Sequence, residues 1–335
     1  MSSVAEVLVA GASGFAGALA ARLIQAHPFF ELGPITSRSD AGKPLDALYP
    51  QHRVTKVLEE LDLGRHGDVA AAIVAYPHGA AAPVVAALHA RGVKVVDLSA
   101  DFRLRDQATY EQWYVEHNEP ELLGEAVYGL PELYRGDIAG ASLVANPGCF
   151  PTAALLTLAP LARAGLIADV VIDAKTGVSG AGRAATQATH FVSVAENVIP
   201  YKVGAHRHTP EIDQELAVMG AAVTSTFVPH LVPLDQGELT SCYVTLTRPV
   251  DQAELDALYT DAYAGEPFVD VAGVPPGVRD VRETNRCRIY AHADKRTGKA
   301  LVFGAIDNLW KGTSSQALQN LNLMFGRPET EGLGQ

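Results

Sequence analysis

The sequence predicts an α/β protein: a doubly wound parallel sheet first, then a second α/β (α+β) domain. Three observations carry that expectation. Short apolar runs alternate with helical segments through the first 145 residues, the order of parallel strands joined by crossover helices. A glycine-rich turn separates the first run from the first helical segment. The chain has 335 residues, 48% hydrophobic and 19% charged, enough for two packed cores without a large disordered part.

The first strand is expected over residues 4–10, a buried apolar run. Glycines follow at 11, 14 and 17, and a helix is expected over 18–26, ended by His27-Pro28. Backbone N–H groups can approach a pyrophosphate there because no Cβ stands in the way, and the helix start adds partial positive charge. The G-x-x-G-x-x-G spacing is one residue wider than the usual dinucleotide pattern, and a tight turn without a ligand is the bland alternative. A second strand over 32–36 ends in Thr36-Ser37-Arg38, where an NAD site usually carries Asp or Glu. Hydroxyls and a cation point to the 2′-phosphate of NADP(H), with Asp40 keeping NAD open. A third strand over 69–75 runs into Tyr76-Pro77-His78-Gly79, and a fourth ends at Asp97. Ligands of such a sheet sit beyond the carboxyl ends of its strands, so loops 76–79 and 97–103 are expected to line the same crevice as residues 11–17. His78 reads as loop packing. Arg103 reads either as solvated or as an anchor for an anionic group.

Lys plus Arg number 26 and Asp plus Glu 38, a formal net charge of −12. An acidic chain without a basic block is a poor binder of nucleic acid or anionic membrane, and no apolar run approaches the roughly 20 residues needed to span a bilayer. The start of the chain moves straight into a strand, without the charged region and cleavage site of an export signal. Cys149, Cys242 and Cys287 are odd in number and widely spaced, which fits neither a disulfide framework nor a C-x-x-C zinc site. A reduced, cytoplasmic protein without a metal is the expectation.

A fifth strand is expected at 142–145, followed by "NPGC" and a helix over 152–164. Pro151 suits a first helical turn, where its missing N–H would have no partner. Cys149 therefore falls at or just before a helix N-terminus, which favours the thiolate and a role as covalent nucleophile. Cys242 and Cys287 read as buried core cysteines. A nucleophile needs a proton partner, and "HRHTPEI" offers His206 and His208 ahead of a helix begun by Thr209-Pro210-Glu211. Local sequence does not choose between the two histidines. The "SGAGR" loop, with Ser179, Gly180 and Arg183, can present backbone donors to an anion or serve as a plain connection.

Together, "GASGFAG", "LSADFRL", "YGLPEL", "NPGCFPTAALL", "SGAGR", "HRHTPEI" and "AIDNLWKGTSSQALQNLNL", in this order over nearly the whole chain, resemble the N-acetyl-γ-glutamyl-phosphate reductase family of the aspartate-semialdehyde dehydrogenase-like superfamily. The resemblance implies a Rossmann NADP-binding domain over 1–148 with a C-terminal helix from 312–335, and a catalytic and oligomerisation domain over 149–311. It implies NADPH-dependent reduction of N-acetyl-γ-glutamyl phosphate to the semialdehyde, with release of phosphate, in arginine biosynthesis. It places the nucleophile on Cys149 and the acid/base on His206, acting as imidazolium. Cofactor contacts are expected from Gly11, Ser13, Gly14, Phe15, Ala16, Gly17, Ser37, Arg38, Pro77, Ser179, Gly180 and Asn308, and substrate contacts from Arg103, Asn146, Arg183, Arg207 and Glu211. The family suggests a homotetramer. Phe15 and Phe150 stand where it often has tyrosine. Rival readings are a reductase of carrier-protein-bound aminoadipyl or glutamyl phosphate, an aspartate-semialdehyde dehydrogenase, and a non-enzymatic NADP sensor on the same fold.

Overall fold

A computed structural model describes residues 4–334, which divide into two compact units, 4–148 with 313–334, and Cys149–Gly312. The first unit holds six strands, β1 (Ala5–Ala10), β2 (Phe30–Thr36), β3 (Ala71–Val74), β4 (Lys94–Asp97), β5 (Val127–Tyr128) and β6 (Leu143–Ala145). All pairs are parallel, in the order β2-β1-β3-β4-β6-β5. Val7 to Ala10 and Ala71 to Val74 are wholly buried, the unbroken apolar run of strands covered on both faces. The chain winds outward in both directions from β1 and β3, so the switch point of the sheet lies between them. The Ser315–Met324 helix packs against the Phe15–Gln25 and Pro131–Gly140 helices.

Two details depart from the sequence expectation. The first helix begins at Phe15, because Phe15, Ala16 and Gly17 form its first turn rather than the end of the loop. Strand β5 is two residues long, too short to show a period, and adds an edge beside β6.

The second unit is a mixed seven-stranded sheet. Its strands are β7 (Ile167–Thr176), β8 (Ile199–Pro200), β9 (Thr226–Leu231), β10 (Glu238–Leu246), β11 (Val269–Val271), β12 (Cys287–Asp294) and β13 (Lys299–Ile306), in the order β11-β12-β13-β10-β7-β9-β8. The β7–β9 and β11–β12 pairs are parallel. The Cys149–Arg163 helix lies on β10 and β13, and every residue from Phe150 to Ala162 is buried. A helix apolar on all sides belongs inside a core.

Two local features let it sit there. A Cβ at Gly304 would fall 1.9 Å from Thr157 Oγ1, so only glycine lets the helix approach β13 this closely. Pro160 has no N–H to give the Leu156 carbonyl four residues earlier. The Tyr263 hydroxyl donates to that carbonyl instead, and the Tyr259 hydroxyl donates to Thr157 O at 2.7 Å. The proline is therefore tolerated without a buried, unsatisfied acceptor.

Candidate active site

In the first unit the glycine turn lies at the switch point. Gly11 has φ +87°, and a Cβ there would fall 2.5 Å from Ala75 O, so the loops after β1 and β3 touch through glycine alone. A Cβ at Gly17 would fall 2.3 Å from Gly11 O, which fixes the helix close to the turn. Gly14 is the N-cap, with no side-chain cap, and the nearest atom to a Cβ there is Gly11 O at 3.6 Å. This glycine leaves open the approach to the first N–H groups of the Phe15–Gln25 helix, which no carbonyl within the helix can satisfy.

A cavity of about 310 Å³ opens here, lined by Gly11, Ser13, Gly14, Ser37, Arg38 and Pro77 among others. Ser13 Oγ and Ser37 Oγ are 2.8 Å apart, and the Tyr49 hydroxyl donates to Ser13 O at 2.8 Å. Arg38 is exposed at the rim. Asp40 is buried, with its carboxylate taken up by Lys43 at 2.9 Å and Ser39 at 2.8 Å. The residue that kept NAD open in the sequence is thus occupied locally.

The "LSADFRL" segment braces this crevice. Asp101 accepts from the N–H groups of Gly79, Ala81 and Ala82 at 2.7, 3.2 and 3.0 Å, and from the Tyr110 hydroxyl at 2.7 Å. Its carboxylate caps the Ala82–His89 helix, a role sequence analysis missed because the partners lie about 20 residues away. Arg103 and Asn146, expected as substrate contacts, have bracing partners of the same kind. Arg103 is buried and donates to Asn146 O at 2.7 Å and Leu98 O at 2.8 Å. The Asn146 amide is buried between Thr313 O at 3.2 Å and the Asn320 amide at 3.0 Å.

In the second unit Cys149 is the first residue of its helix and is half-buried, whereas Cys242 and Cys287 are fully buried. Burial pushes the Cys242 thiol up, which keeps it protonated and inert. A Cβ at Gly312 would fall 2.9 Å from Cys149 Cβ, so this glycine of the "NLWKG" segment makes room for the nucleophile. Phe150, next in the chain, meets the His206 ring with centroids 5.6 Å apart. Tyr201, His208 and Phe227 meet the same ring at 5.4, 4.8 and 5.2 Å. His206 is 7% exposed.

Burial first, then the charges of Lys202 and Arg207, push its pKa down to about 3. Its Nδ1 accepts from the His208 N–H at 3.2 Å, which leaves the proton of the neutral ring on Nε2. Burial thus disfavours the imidazolium that the resemblance implies and favours a neutral Nε2–H donor. The two histidines also separate: His206 is the boxed ring, and His208 is one wall of the box.

The remaining candidates in this unit are distributed unevenly. Glu211 is buried in the first turn of the Thr209–Val218 helix, Arg207 is half-buried just before it, and Arg183 is exposed in the glycine loop. The Asn308 amide, expected at the cofactor, accepts from Gly237 N–H at 2.7 Å and donates to Ser179 Oγ at 3.0 Å. Gly180 is exposed beyond Ser179. Glu238, at the start of β10, is buried beside the thiol. In "GELTSCYV" sequence analysis singled out only Cys242, as a core cysteine. The sole signal of Glu238 was a carboxylate on the face that carries Thr240 and Cys242. Among the described residues, no cluster of three or more His, Cys, Asp or Glu could hold a metal ion, and no helix is long and apolar enough to cross a membrane.

Comparison with known proteins adds names to this geometry. The semialdehyde dehydrogenase NAD-binding domain family matches residues 6–141, and the semialdehyde dehydrogenase dimerisation domain family matches residues 149–308. N-acetyl-gamma-glutamyl-phosphate reductase of Desulforudis audaxviator is 50% identical over 98% of this chain and 97% of its own length. The enzyme of that name from Moorella thermoacetica is 48% identical over 97% and 96%. Aspartate semialdehyde dehydrogenase II of Vibrio cholerae, complexed with ASA, superposes with a TM-score of 0.74 at 18% identity, covering 97% of this chain and 99% of that one. The Candida albicans aspartate semialdehyde dehydrogenase with NADP gives 0.68 at 15% identity, covering 96% and 100%.

Proposed function

From the premise that this chain belongs to the N-acetyl-γ-glutamyl-phosphate reductase family of the semialdehyde dehydrogenases, we propose that it reduces N-acetyl-γ-glutamyl phosphate to N-acetyl-L-glutamate 5-semialdehyde with NADPH and releases phosphate, a step of arginine biosynthesis. The observation that carries the reading is a half-buried cysteine opening a core helix whose next residue, Phe150, packs on a boxed neutral histidine, in a chain about half identical to such reductases over nearly its full length.

The residues present fit NADP(H). Gly11 and Gly17 form a cradle that a Cβ would fill, Gly14 leaves the helix start approachable, and Ser13, Ser37 and Arg38 line the cavity beside it. Ser37 and Arg38 would hold the 2′-phosphate, and the N–H groups of Phe15, Ala16 and Gly17 the pyrophosphate. When bound, NADPH supplies the hydride that reduces the acyl carbon.

The chain's own part begins with the Cys149 sulfur, which attacks the acyl carbon and displaces phosphate to leave a thioester. N–H groups at the start of the Cys149–Arg163 helix are the donors for the oxyanion. His206 donates Nε2–H to the same oxygen as charge develops there. A neutral donor suits this task, because no buried cation must be maintained before substrate arrives. Arg183, Arg207 and Glu211 are the proposed substrate contacts, the two arginines being suited to phosphate and carboxylate. The dimerisation-domain match fits a homo-oligomer, proposed here as a tetramer. Reduced cysteines and a biosynthetic role fit the cytoplasm.

The test runs the reaction backwards. N-acetylglutamate 5-semialdehyde, NADP⁺ and inorganic phosphate should give NADPH, at a rate that needs phosphate. Aspartate semialdehyde or a carrier-linked semialdehyde turning over in its place would move the assignment to that substrate.

A further inference from the structure

We propose that Glu238 is the proton partner of Cys149, taking the thiol proton as sulfur bonds to carbon and returning it as that bond breaks. The inference rests on the reductase reading for the identity of the carbon, but not for the pairing itself.

The placement comes from the sheet. Glu238 is the first residue of β10 and pairs with Thr176 at the end of β7 and Ile306 at the end of β13. Directly paired residues share a face. That face is the one under the Cys149–Arg163 helix, since Thr240, two residues on, reaches Thr157 of the helix at 3.5 Å. A Cβ at Gly312 would touch Cys149 Cβ at 2.9 Å and Ile306 Cδ1 at 3.2 Å, so the thiol and the strand end that holds Glu238 meet at one point. The clamp on Gly237 is tight as well. Its N–H goes to Asn308, its carbonyl accepts from Gly177 N–H at 2.9 Å, and its φ is +115°. Backbone on both sides thus fixes the carboxyl.

Glu238 is 0% exposed, and the side chains that reach its carboxyl are those of Cys149 and Thr176. Burying a carboxyl group with so few polar partners is costly. The titratable groups that face it are Cys149 on the helix, Asp307 beyond β13 and Tyr201 beyond β8. Asp307 is occupied, accepting from the N–H groups of Glu283, Leu309 and Trp310 at 2.8, 2.9 and 3.2 Å. Tyr201 is pushed up by burial, then by Cys149 and Glu238, and stays a neutral phenol. Only the thiol remains to exchange a proton with the carboxyl. Burial pushes Glu238 up to about 8, into the range where thiols ionise, while the Cys149 and Thr176 side chains act to hold it down.

The proton account closes. In acylation the S–C bond forms, the S–H proton moves to the Glu238 carboxylate, the acyl C–O bond breaks, and phosphate leaves with one proton from water. In reduction the hydride enters at carbon, the C–S bond breaks, and Glu238 gives its proton to the sulfur. The net reaction is acyl phosphate, NADPH and one proton to aldehyde, NADP⁺ and hydrogen phosphate.

Alkylation of Cys149 by iodoacetamide, followed across pH by peptide mass spectrometry, tests the pairing without substrate. Two coupled groups lose their protons in two steps. The full-length wild-type protein should therefore show two inflections, and the near-isosteric Glu238→Gln protein one. A single inflection in the wild type, or an unchanged two-step curve in E238Q, would overturn the proposal. The wild-type curve decides alone if the variant does not fold. In the reductase assay E238Q should lose about 100-fold or more in kcat, with KM for the acyl phosphate within a few-fold. A kcat within about three-fold of wild type would also overturn it. If the wild type shows two inflections yet fails to turn over N-acetyl-γ-glutamyl phosphate, the substrate reading falls and the proton pair stands.

Discussion

The Phe150 ring meets the His206 imidazole edge-on, with centroids 5.6 Å apart and planes at 88°. Phe150 follows Cys149 directly, so the turn that presents the thiol also orients the histidine. Phe150→Leu roughly conserves apolar volume and should cost less than about 1.5 kcal/mol of stability. It removes the edge contact, however, and kcat should fall about ten-fold while NADPH affinity stays unchanged. Steady-state kinetics with a cofactor titration checks this, and a loss confined to cofactor affinity would contradict it.

The depressed His206 pKa has a definite sign. The unfolded chain protonates this ring near its ordinary value of 6.5, and the folded chain only at about 3. Unfolded protein therefore binds the proton in that window, and stability falls as pH drops through it. From pH 7.5 to 5.5 the loss due to His206 is about 1.4 kcal/mol. Denaturant melts at the two pH values should show a smaller acid loss for His206→Gln than for wild type. An equal loss would mean the ring is already charged in the folded protein.

Tyr263 and Leu156 make a stability prediction of their own. The tyrosine hydroxyl serves the carbonyl that Pro160 leaves without a donor. Tyr263→Phe strands that buried acceptor and should cost about 1–3 kcal/mol in urea unfolding. In the Pro160→Ala background a helix N–H is restored, so the same substitution should cost clearly less. Equal costs in both backgrounds would show that the hydroxyl does not replace the missing N–H.

Arg38 tests the choice of cofactor. Its guanidinium is exposed at the rim of the cavity beside Ser37. Arg38→Ala should weaken NADPH by about 10- to 100-fold, the worth of a hydrogen-bonded charge, and leave NADH nearly untouched. Fluorescence titration of both nucleotides reads the difference, and equal weakening would remove the phosphate contact from the account.

Much of this molecule was legible because its signals are local. The strand–glycine–helix order around residues 11–17 and the turn before Cys149 each sit within about a dozen residues, and the parallel sheet and the helix beginning at Cys149 follow them. Family identity was legible because seven motifs stand in one order, and the near-full-length relatives carry the same name. What stayed hidden depends on distant partners. Asp101 reads as a loop acid until three N–H groups about 20 residues away converge on it. Nothing local in the sequence singles out Tyr263, whose partner Leu156 lies 107 residues earlier. The charge state of His206 depends first on its burial, to which Phe150 and Phe227 from distant segments contribute, and no spacing rule could collect them. Glu238 hid in an ordinary strand pattern, because alternation tells which face a residue takes and not what lies on it.

The central claim is that Cys149 carries the acyl group. Wild-type protein mixed with N-acetyl-γ-glutamyl phosphate in the absence of nicotinamide should gain one N-acetylglutamyl group by intact mass. Peptide mapping should place it on Cys149, and adding NADPH should discharge it as the semialdehyde. An enzyme that turns over at its normal rate without that adduct, or that carries it on another residue, would contradict the account.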